Sequence, residues 1–200
     1  MKKEAAASDR PRSRGGGFLI CDPESEARGL NAPVEERVAS PLRCLDRTVE
    51  KTPAIILVRF GNLSWRKQET LQELVAILKS NRHTRHIPVL ALFNAKHRQL
   101  IAKLHQLGVD YGHYVGEIAL DGEQIRAIIE GLGPDDSLAR RLDLLCPFLH
   151  YSRIDDRREM TVCGAYLERM VLGGRRLHEI CQTENHLRCE FYLHPRRSQS

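Results

Sequence analysis

Apolar and polar residues between positions 18 and 132 fall into alternating blocks. Continuous apolar runs with many β-branched side chains occupy residues 18–21, 54–58 and 87–93. Runs of this length and composition are typical of parallel strands that are covered on both faces. Two poorer runs predict additional strands, at residues 34–39 and 114–115.

Apolar residues at helical spacing separate these strands. The clearest stripe follows Ser64, a residue type that favours the first position of a helix, and consists of Leu71, Leu74, Val75 and Leu78. Three further helices are predicted by weaker stripes: Leu42, Leu45 and Val49 before Pro53; Leu100, Ile101, Leu104 and Leu107 before Gly108; and Ile125, Ile128 and Ile129. Alternating strands and helices predict an α/β fold, a doubly wound parallel sheet with right-handed crossovers.

The pattern changes after a linker at residues 131–136, which is rich in glycine, proline and aspartate. A stripe of leucines then predicts a helix that leads to Cys146: Leu138, Leu142, Leu145 and Leu149. We therefore divide the chain into a leader at 1–17, an α/β domain at 18–132, and a helix plus cysteine module at 133–200.

Four of the six cysteines lie in the C-terminal 55 residues: Cys146, Cys163, Cys181 and Cys189. A polar segment of this size buries too little apolar surface to fold unaided, so the concentration indicates either disulfides or a metal. The N-terminus lacks the apolar run of a secretory signal, and no segment is apolar over the length of a membrane span. We therefore expect a cytoplasmic protein with reduced thiols, and predict that these four cysteines bind a metal.

The identity of the metal is left open by the spacing of the cysteines. Successive cysteines are separated by 16, 17 and 7 residues, which matches no compact zinc or ferredoxin motif. Four thiolates suit an iron–sulfur cluster and Zn²⁺ equally. We predict an iron–sulfur cluster, with zinc as the alternative and a metal-free module as the third interpretation. Four histidines of the same segment are candidate substitute ligands: His150, His178, His186 and His194.

Composition and charge exclude few classes of function. Hydrophobic residues at 42% and charged residues at 28% describe a soluble globular protein. The formal net charge of +5 lies partly in the leader, which ends in three glycines and is predicted to be disordered. Binding of nucleic acid to the basic residues is a hypothesis without further support. Because the sequence lacks a glycine-rich phosphate loop, a nucleophile elbow and a His-Glu-x-x-His motif, we predict no catalytic residues and no enzyme activity.

Three phrases give residues 18–132 a resemblance to the receiver domain of bacterial response regulators. Residues 53–58 resemble the third strand of a receiver, Ile-Pro-Val-Leu at 87–90 resembles the start of the fourth, and Gly-Val-Asp-Tyr at 108–111 resembles the phrase before the fifth. The resemblance implies a flavodoxin-like fold of the receiver type, a role in signal transduction, and a partner protein bound through this domain. The cysteine segment loosely resembles short cysteine-rich tails of uncharacterised bacterial proteins, which implies no activity.

The phosphotransfer residues that the resemblance implies are missing from the matching positions. Arg59 stands in place of the phosphoacceptor aspartate, and Phe93 or Asn94 stands in place of the hydroxyl residue that ends the fourth strand. No lysine occurs in residues 108–120, and Asp22 alone remains of the acidic pair that would bind Mg²⁺. The sequence therefore predicts a pseudo-receiver, which has the fold without the phosphorelay.

Arg59 has two interpretations: it pairs with Asp22 and locks a fixed conformation, or it occupies a lost site and extends into solvent. Cys21 and Cys44 are expected to be small buried core residues.

Two functions are compatible with these features. The first is a signalling or regulatory protein whose pseudo-receiver binds a partner while the cysteine module stabilises it or senses redox state. The second is an iron–sulfur electron-transfer protein.

Overall fold

The computed structural model describes residues 17–24, 35–116, 120–156, 158–166 and 170–196. The predicted leader at 1–17 lies outside these ranges except for Gly17, and the segment 25–34 between the first two strands also lies outside them. Among the described residues, no helix is both long enough and apolar enough to cross a bilayer.

Within the described part of residues 17–116, five strands form one sheet: β1 Phe18–Cys21, β2 Glu35–Val38, β3 Ile55–Phe60, β4 Val89–Phe93 and β5 Tyr111–Tyr114. Their spatial order is β2-β1-β3-β4-β5, and every neighbouring pair is parallel. This is the 2-1-3-4-5 order of flavodoxin-like doubly wound sheets. The predicted α/β fold class is therefore confirmed.

Helices alternate with these strands as predicted: α1 Pro41–Lys51, α2 Trp65–Ser80, α3 Arg98–Gln106 and α4 Gly122–Glu130. Gly108 has a φ angle of +84°, and this left-handed backbone turns the chain after α3. Ser64 precedes α2 as expected, although its side chain makes no capping hydrogen bond. Asp121 and Gln124 form a reciprocal capping box at the start of α4.

The sheet is buried on both faces, which explains its continuous apolar strands. Alternate side chains of β3 enter different cores because successive residues of a strand point to opposite faces. Ile56, Val58 and Phe60 join a core with residues of α1, α2 and α3. Ile55 and Leu57 join a second core, to which α4 contributes. All members of the predicted α2 stripe are buried in the first core: Leu71, Leu74, Val75 and Leu78.

The buried face of α1 differs from the predicted one. Leu42 and Val49, which belong to the predicted stripe, are 68% and 59% exposed, so the prediction was wrong for both. Cys44 and Thr48 are buried instead, and the Cys44 side chain contacts Cys21 of β1. The helix therefore packs on β1 through Cys44 and not through Leu42 or Val49 of the predicted stripe. Both cysteines are fully buried, which confirms that they are core residues.

Helix α5 (Leu138–Asp143) is shorter than the sequence indicated, and the prediction that it reaches Cys146 was wrong. Leu138 and Leu145 are buried in the first core of the α/β sheet. Leu138 packs closely against Gly112 of β5. A side chain at position 112 would clash, since a Cβ atom there would lie 2.5 Å from Leu138 Cδ2. The leucine stripe is therefore divided, since Leu149 belongs to the following strand and packs with cysteines.

The remainder of the chain contains a small antiparallel sheet that the sequence did not predict. Its strands lie in the order β6 (Leu149–Arg153), β7 (Glu159–Cys163) and β8 (Met170–Val171). A π-helical turn (Arg176–Cys181), a 3-10 turn (Glu184–Arg188) and helix α6 (Glu190–Leu193) follow. These elements enclose a third hydrophobic core, which includes Cys146, Cys163 and Cys181.

Candidate functional site

Asp22 follows β1 at the carboxyl end of the sheet, which is the edge where open α/β sheets bind ligands. The pairing of Cys21 with Val58 places Asp22 beside Arg59 of β3. Arg59 Nη1 lies 3.3 Å from Asp22 Oδ2, and Arg37 Nη1 lies 3.9 Å from the same oxygen. Asp22 is 2% exposed. The predicted pairing of Arg59 with Asp22 is thus confirmed, and the alternative in which Arg59 extends into solvent is wrong.

An aromatic cluster occupies the end of β4 at this edge. Phe93 is the last residue of β4, and its ring lies 6.2 Å from the ring of Phe60 and 5.8 Å from the ring of Tyr114. Phe93 is 1% exposed and offers no hydroxyl group. Lys96 and Arg141 both lie over the ring of Tyr114, with the cations 5.7 and 5.4 Å from its centroid. The edge therefore presents a buried ion pair and stacked rings.

The four predicted cysteine ligands face one cavity, although up to 43 positions separate them in the sequence. Cys146 lies between α5 and β6, Cys163 ends β7, Cys181 ends the π-helical turn, and Cys189 precedes α6. The cavity has a volume of about 10 Å³, close to the space that one water molecule needs. The first three cysteines are buried and Cys189 is partly exposed, and all four are free thiols.

Backbone contacts hold the buried cysteines in place. Cys146 N donates a hydrogen bond to Cys181 O at 2.8 Å, which joins the start of the module to the π-helical turn. Cys163 pairs with Leu149 between β7 and β6. As they stand, no three His, Cys, Asp or Glu side chains in the described ranges are close enough together to bind one metal ion. The thiols therefore surround the cavity without meeting at a single point.

Burial raises the pKa of two of these thiols, Cys146 and Cys181. Burial, followed by the negative charges that Cys146, Cys163 and Cys189 would carry, raises the pKa of Cys181 to about 12. Burial is also the main reason that the pKa of Cys146 is raised. Both side chains are neutral thiols at pH 7, whereas nucleophilic and peroxide-reactive cysteines are thiolates. Cys146 and Cys181 are therefore poor nucleophiles, and a metal that binds them must displace their protons.

One of the four candidate histidines belongs to this cavity. His186 is 3% exposed and lines the cavity, and its ring contacts the ring of Tyr192 edge-on at 5.3 Å. His150, His178 and His194 are exposed. Arg176 also lines the cavity. The remaining lining residues are apolar or aromatic: Phe148, Ala165, Met170, Leu172, Phe191 and Tyr192.

The loop between β4 and α3 joins the cysteine module to the edge of the parallel sheet. Lys96 Nζ donates to Gln182 O at 3.2 Å, and Gln182 Nε2 donates to Lys96 O at 3.1 Å. Arg98 Nη1 donates to Leu142 O at 2.9 Å and to Leu145 O at 2.7 Å. Gln182 directly follows Cys181, and Leu145 directly precedes Cys146. Two ligand candidates are therefore one residue away from groups that hold this loop.

His97 and Tyr151 add a second contact at the same junction. Their rings are stacked with centroids 3.8 Å apart, and Tyr151 Oη accepts a hydrogen bond from Arg98 N at 3.0 Å. His97 Nδ1 accepts from Leu100 N, so the hydrogen of the neutral ring is on Nε2, which donates to Glu159 Oε2 at 2.8 Å. None of these residues was singled out by the sequence, because each acts through contacts with distant parts of the chain.

The structure has partial counterparts among solved proteins. No protein-family model matches this chain, and no curated protein matches its sequence. The phosphorylated cyanobacterial phytochrome response regulator RcpA is 18% identical over 60% of this chain and 93% of its own, with a TM-score of 0.41. A response regulator in red light signalling of R. palustris is 16% identical over 57% and 90%, with a TM-score of 0.39. One from Desulfuromonas acetoxidans is 15% identical over 57% and 94%, with a TM-score of 0.39.

Proposed function

We propose that this protein is a non-phosphorylatable regulatory protein, in which a receiver-like α/β domain binds a partner protein and the C-terminal cysteine module holds a metal centre. The centre is an iron–sulfur cluster, with zinc as the alternative. Cys146, Cys163 and Cys181 face it from the buried side, and Cys189 lies at its rim. The observation that carries the proposal is the double link between the cysteine cavity and the β4–α3 loop.

The charges at the edge of the sheet support a domain that does not accept phosphate. A phosphoacceptor supplies a carboxylate oxygen as nucleophile, and Arg59 has no such atom. Its guanidinium instead neutralises Asp22, the one carboxylate that remains of the implied magnesium pair. An aspartate that is paired with two arginines is a poor ligand for Mg²⁺, which needs several oxygen ligands in octahedral geometry.

We therefore expect no phosphotransfer to this protein. Incubation of the full chain with acetyl phosphate and Mg²⁺ should leave its mass unchanged, whereas a phosphorylatable receiver treated in parallel should gain one phosphoryl group. Intact-mass spectrometry at neutral pH measures this directly. An acid-labile phosphoaspartate anywhere in residues 18–132 would contradict the pseudo-receiver hypothesis.

The links to the β4–α3 loop support a regulatory role for the module. A metal that draws Cys146 and Cys181 together would also fix their neighbours Leu145 and Gln182, which hold Arg98 and Lys96. Loss or oxidation of the centre would loosen these contacts, and the β4–α3 loop would gain freedom. The module thus acts as the input, and the carboxyl edge of the sheet as the output that a partner protein reads.

Removal of the metal should raise hydrogen exchange in residues 94–98 by about tenfold, because two lost hydrogen bonds cost on the order of 1–2 kcal/mol. Exchange in β3 should stay constant. Gln182→Ala should raise exchange of the same loop while the metal is still bound. Arg158→Ala, which removes an exposed contact with Asp155 in the β6–β7 turn, serves as the control and should change nothing in the loop. Equal loop exchange with and without metal would refute the coupling.

The partial exposure of Cys189 favours a second candidate function, electron transfer, because a cluster at this rim would lie near the protein surface. The two functions differ in a measurable way. An electron-transfer protein should cycle between oxidised and reduced forms with no change in exchange of residues 94–98. A regulatory protein should change its loop exchange with each change in the state of the centre. Absorbance near 400 nm distinguishes a cluster from zinc in either case.

A further inference from the structure

His186 is a buried polar residue beside the third core. Its imidazole is 3% exposed and shares the cavity with the four cysteines. A buried polar ring costs free energy unless its nitrogen atoms find partners. The three other candidate histidines of the module are exposed, so the polar ring at the cavity is specific to this position.

The hydrogen bond of His186 fixes its tautomer. Nδ1 lies 2.6 Å from Thr183 O, and a carbonyl oxygen can only accept, so Nδ1 carries the hydrogen. In the neutral ring Nε2 then carries no hydrogen, and its lone pair can bind a metal. Metal-binding histidines have this arrangement, in which one ring nitrogen donates to a backbone carbonyl and the other binds the metal. Contact with Tyr192 holds the ring in place.

Cys189 is less well placed than His186 to bind a metal in the cavity. It is partly exposed, whereas Cys146, Cys163 and Cys181 are 5–6% exposed. Cys189 N donates to His186 O at 3.0 Å, so both residues belong to the same short turn, and both line the cavity. Three thiols and one imidazole form a known ligand set for structural zinc, and histidine also replaces cysteine in some iron–sulfur centres.

We propose that His186 Nε2, and not Cys189, is the fourth ligand of the metal centre, together with Cys146, Cys163 and Cys181. This inference rests on the proposed function, since it requires that the cavity binds a metal. Cys189 then stays a free thiol at the rim. The side chains must move inward to reach bonding distance of one metal ion, while the hydrogen bond to Thr183 O holds Nδ1 of the imidazole.

Titration of the metal-free full chain with Co²⁺ tests the proposal, because thiolate-to-cobalt absorption reports the ligands. His186→Asn removes Nε2 but keeps a side-chain N–H for Thr183 O. We expect wild-type protein to bind one Co²⁺, His186→Asn to bind it about 100-fold more weakly, and Cys189→Ser to bind as the wild type does. His186→Cys should restore binding and increase the charge-transfer absorption. His194→Ala, an exposed histidine of the same segment, is the matched control.

Each other result has a defined meaning. Full binding by His186→Asn would overturn the proposal whatever Cys189→Ser does, and loss in Cys189→Ser would then support the four-cysteine site. Loss in both variants would also overturn it, because Cys189 would then be required. Absence of metal from wild-type protein, whether purified aerobically, purified anaerobically or titrated, would instead refute the proposed function itself. Coupling between ¹¹³Cd and the Nε2 nitrogen in the cadmium-loaded protein would identify the bond without any variant.

Discussion

Replacing Cys146, Cys163 or Cys181 by serine is expected to release the metal and to unfold the region that follows α5. The third core is small and includes these three thiols, so the proposed metal centre would supply most of its folding free energy. Structural zinc sites contribute about 10–16 kcal/mol in small peptides, far more than the core of such a module can supply alone. Metal content and hydrogen exchange of residues 149–193 measure the two effects.

The α/β domain should keep its own thermal transition in these variants, because its two cores contain none of the three thiols. Cys21→Ser and Cys44→Ser are matched controls that place the same substitution in the first core. They should retain the metal and lower the stability of the α/β domain by about 1–3 kcal/mol, since each buries a hydroxyl group in an apolar site. Unchanged metal content in any one of the three tail variants would show that its thiol is not a ligand.

The central part of the fold could be predicted because burial on both faces leaves a strong signal. The runs in β3 and β4 contain few polar residues, and the α2 stripe is regular over two turns. Helix α1 was harder, because it lies on β1 through Cys44 and Thr48. Small and polar residues carry little hydrophobic signal, whereas its exposed residues Leu42 and Val49 carry a strong one.

The cysteine module was predictable in composition but not in structure. Strand β6 reads Leu-His-Tyr-Ser-Arg, and only Leu149 of these residues is buried, so apolar alternation is weak. Pro147 and Cys146 interrupt the leucine stripe that suggested one long helix. The common cavity of the cysteines followed from the residue type alone. The position of His186 at this cavity, alone among the four candidate histidines, did not, because it depends on the folded turn that joins His186 to Thr183.

Loss of the buried ion pair between Arg59 and Asp22 should lower the stability of the protein more than loss of an exposed ion pair. Removing one partner of a buried pair leaves the other charge desolvated, which costs about 3–5 kcal/mol. Arg59→Ala should fall at the lower end of this range, because Arg37 stays 3.9 Å from Asp22. Arg47 on α1 is the control. It makes shorter contacts, 2.8 Å to Glu36 and 2.7 Å to Glu50, yet its side chain is 45% exposed and its loss should have little effect.

A double-mutant cycle with Arg59→Met and Asp22→Asn isolates the pair, measured by urea unfolding. Arg59→Met leaves Asp22 with Arg37 as its cation, Asp22→Asn removes the carboxylate from both arginines, and the double variant removes it from Arg37 alone. We therefore expect the double variant to be more stable than the sum of the single effects predicts, by about 1–3 kcal/mol. Additive effects would mean that Arg37 alone compensates Asp22.

Arg59→Asp extends the test, because it restores a carboxylate at the acceptor position and places it beside Asp22. We expect this variant to be the least stable of the series and to remain unphosphorylated by acetyl phosphate, since residues 108–120 contain no lysine and β4 ends in Phe93.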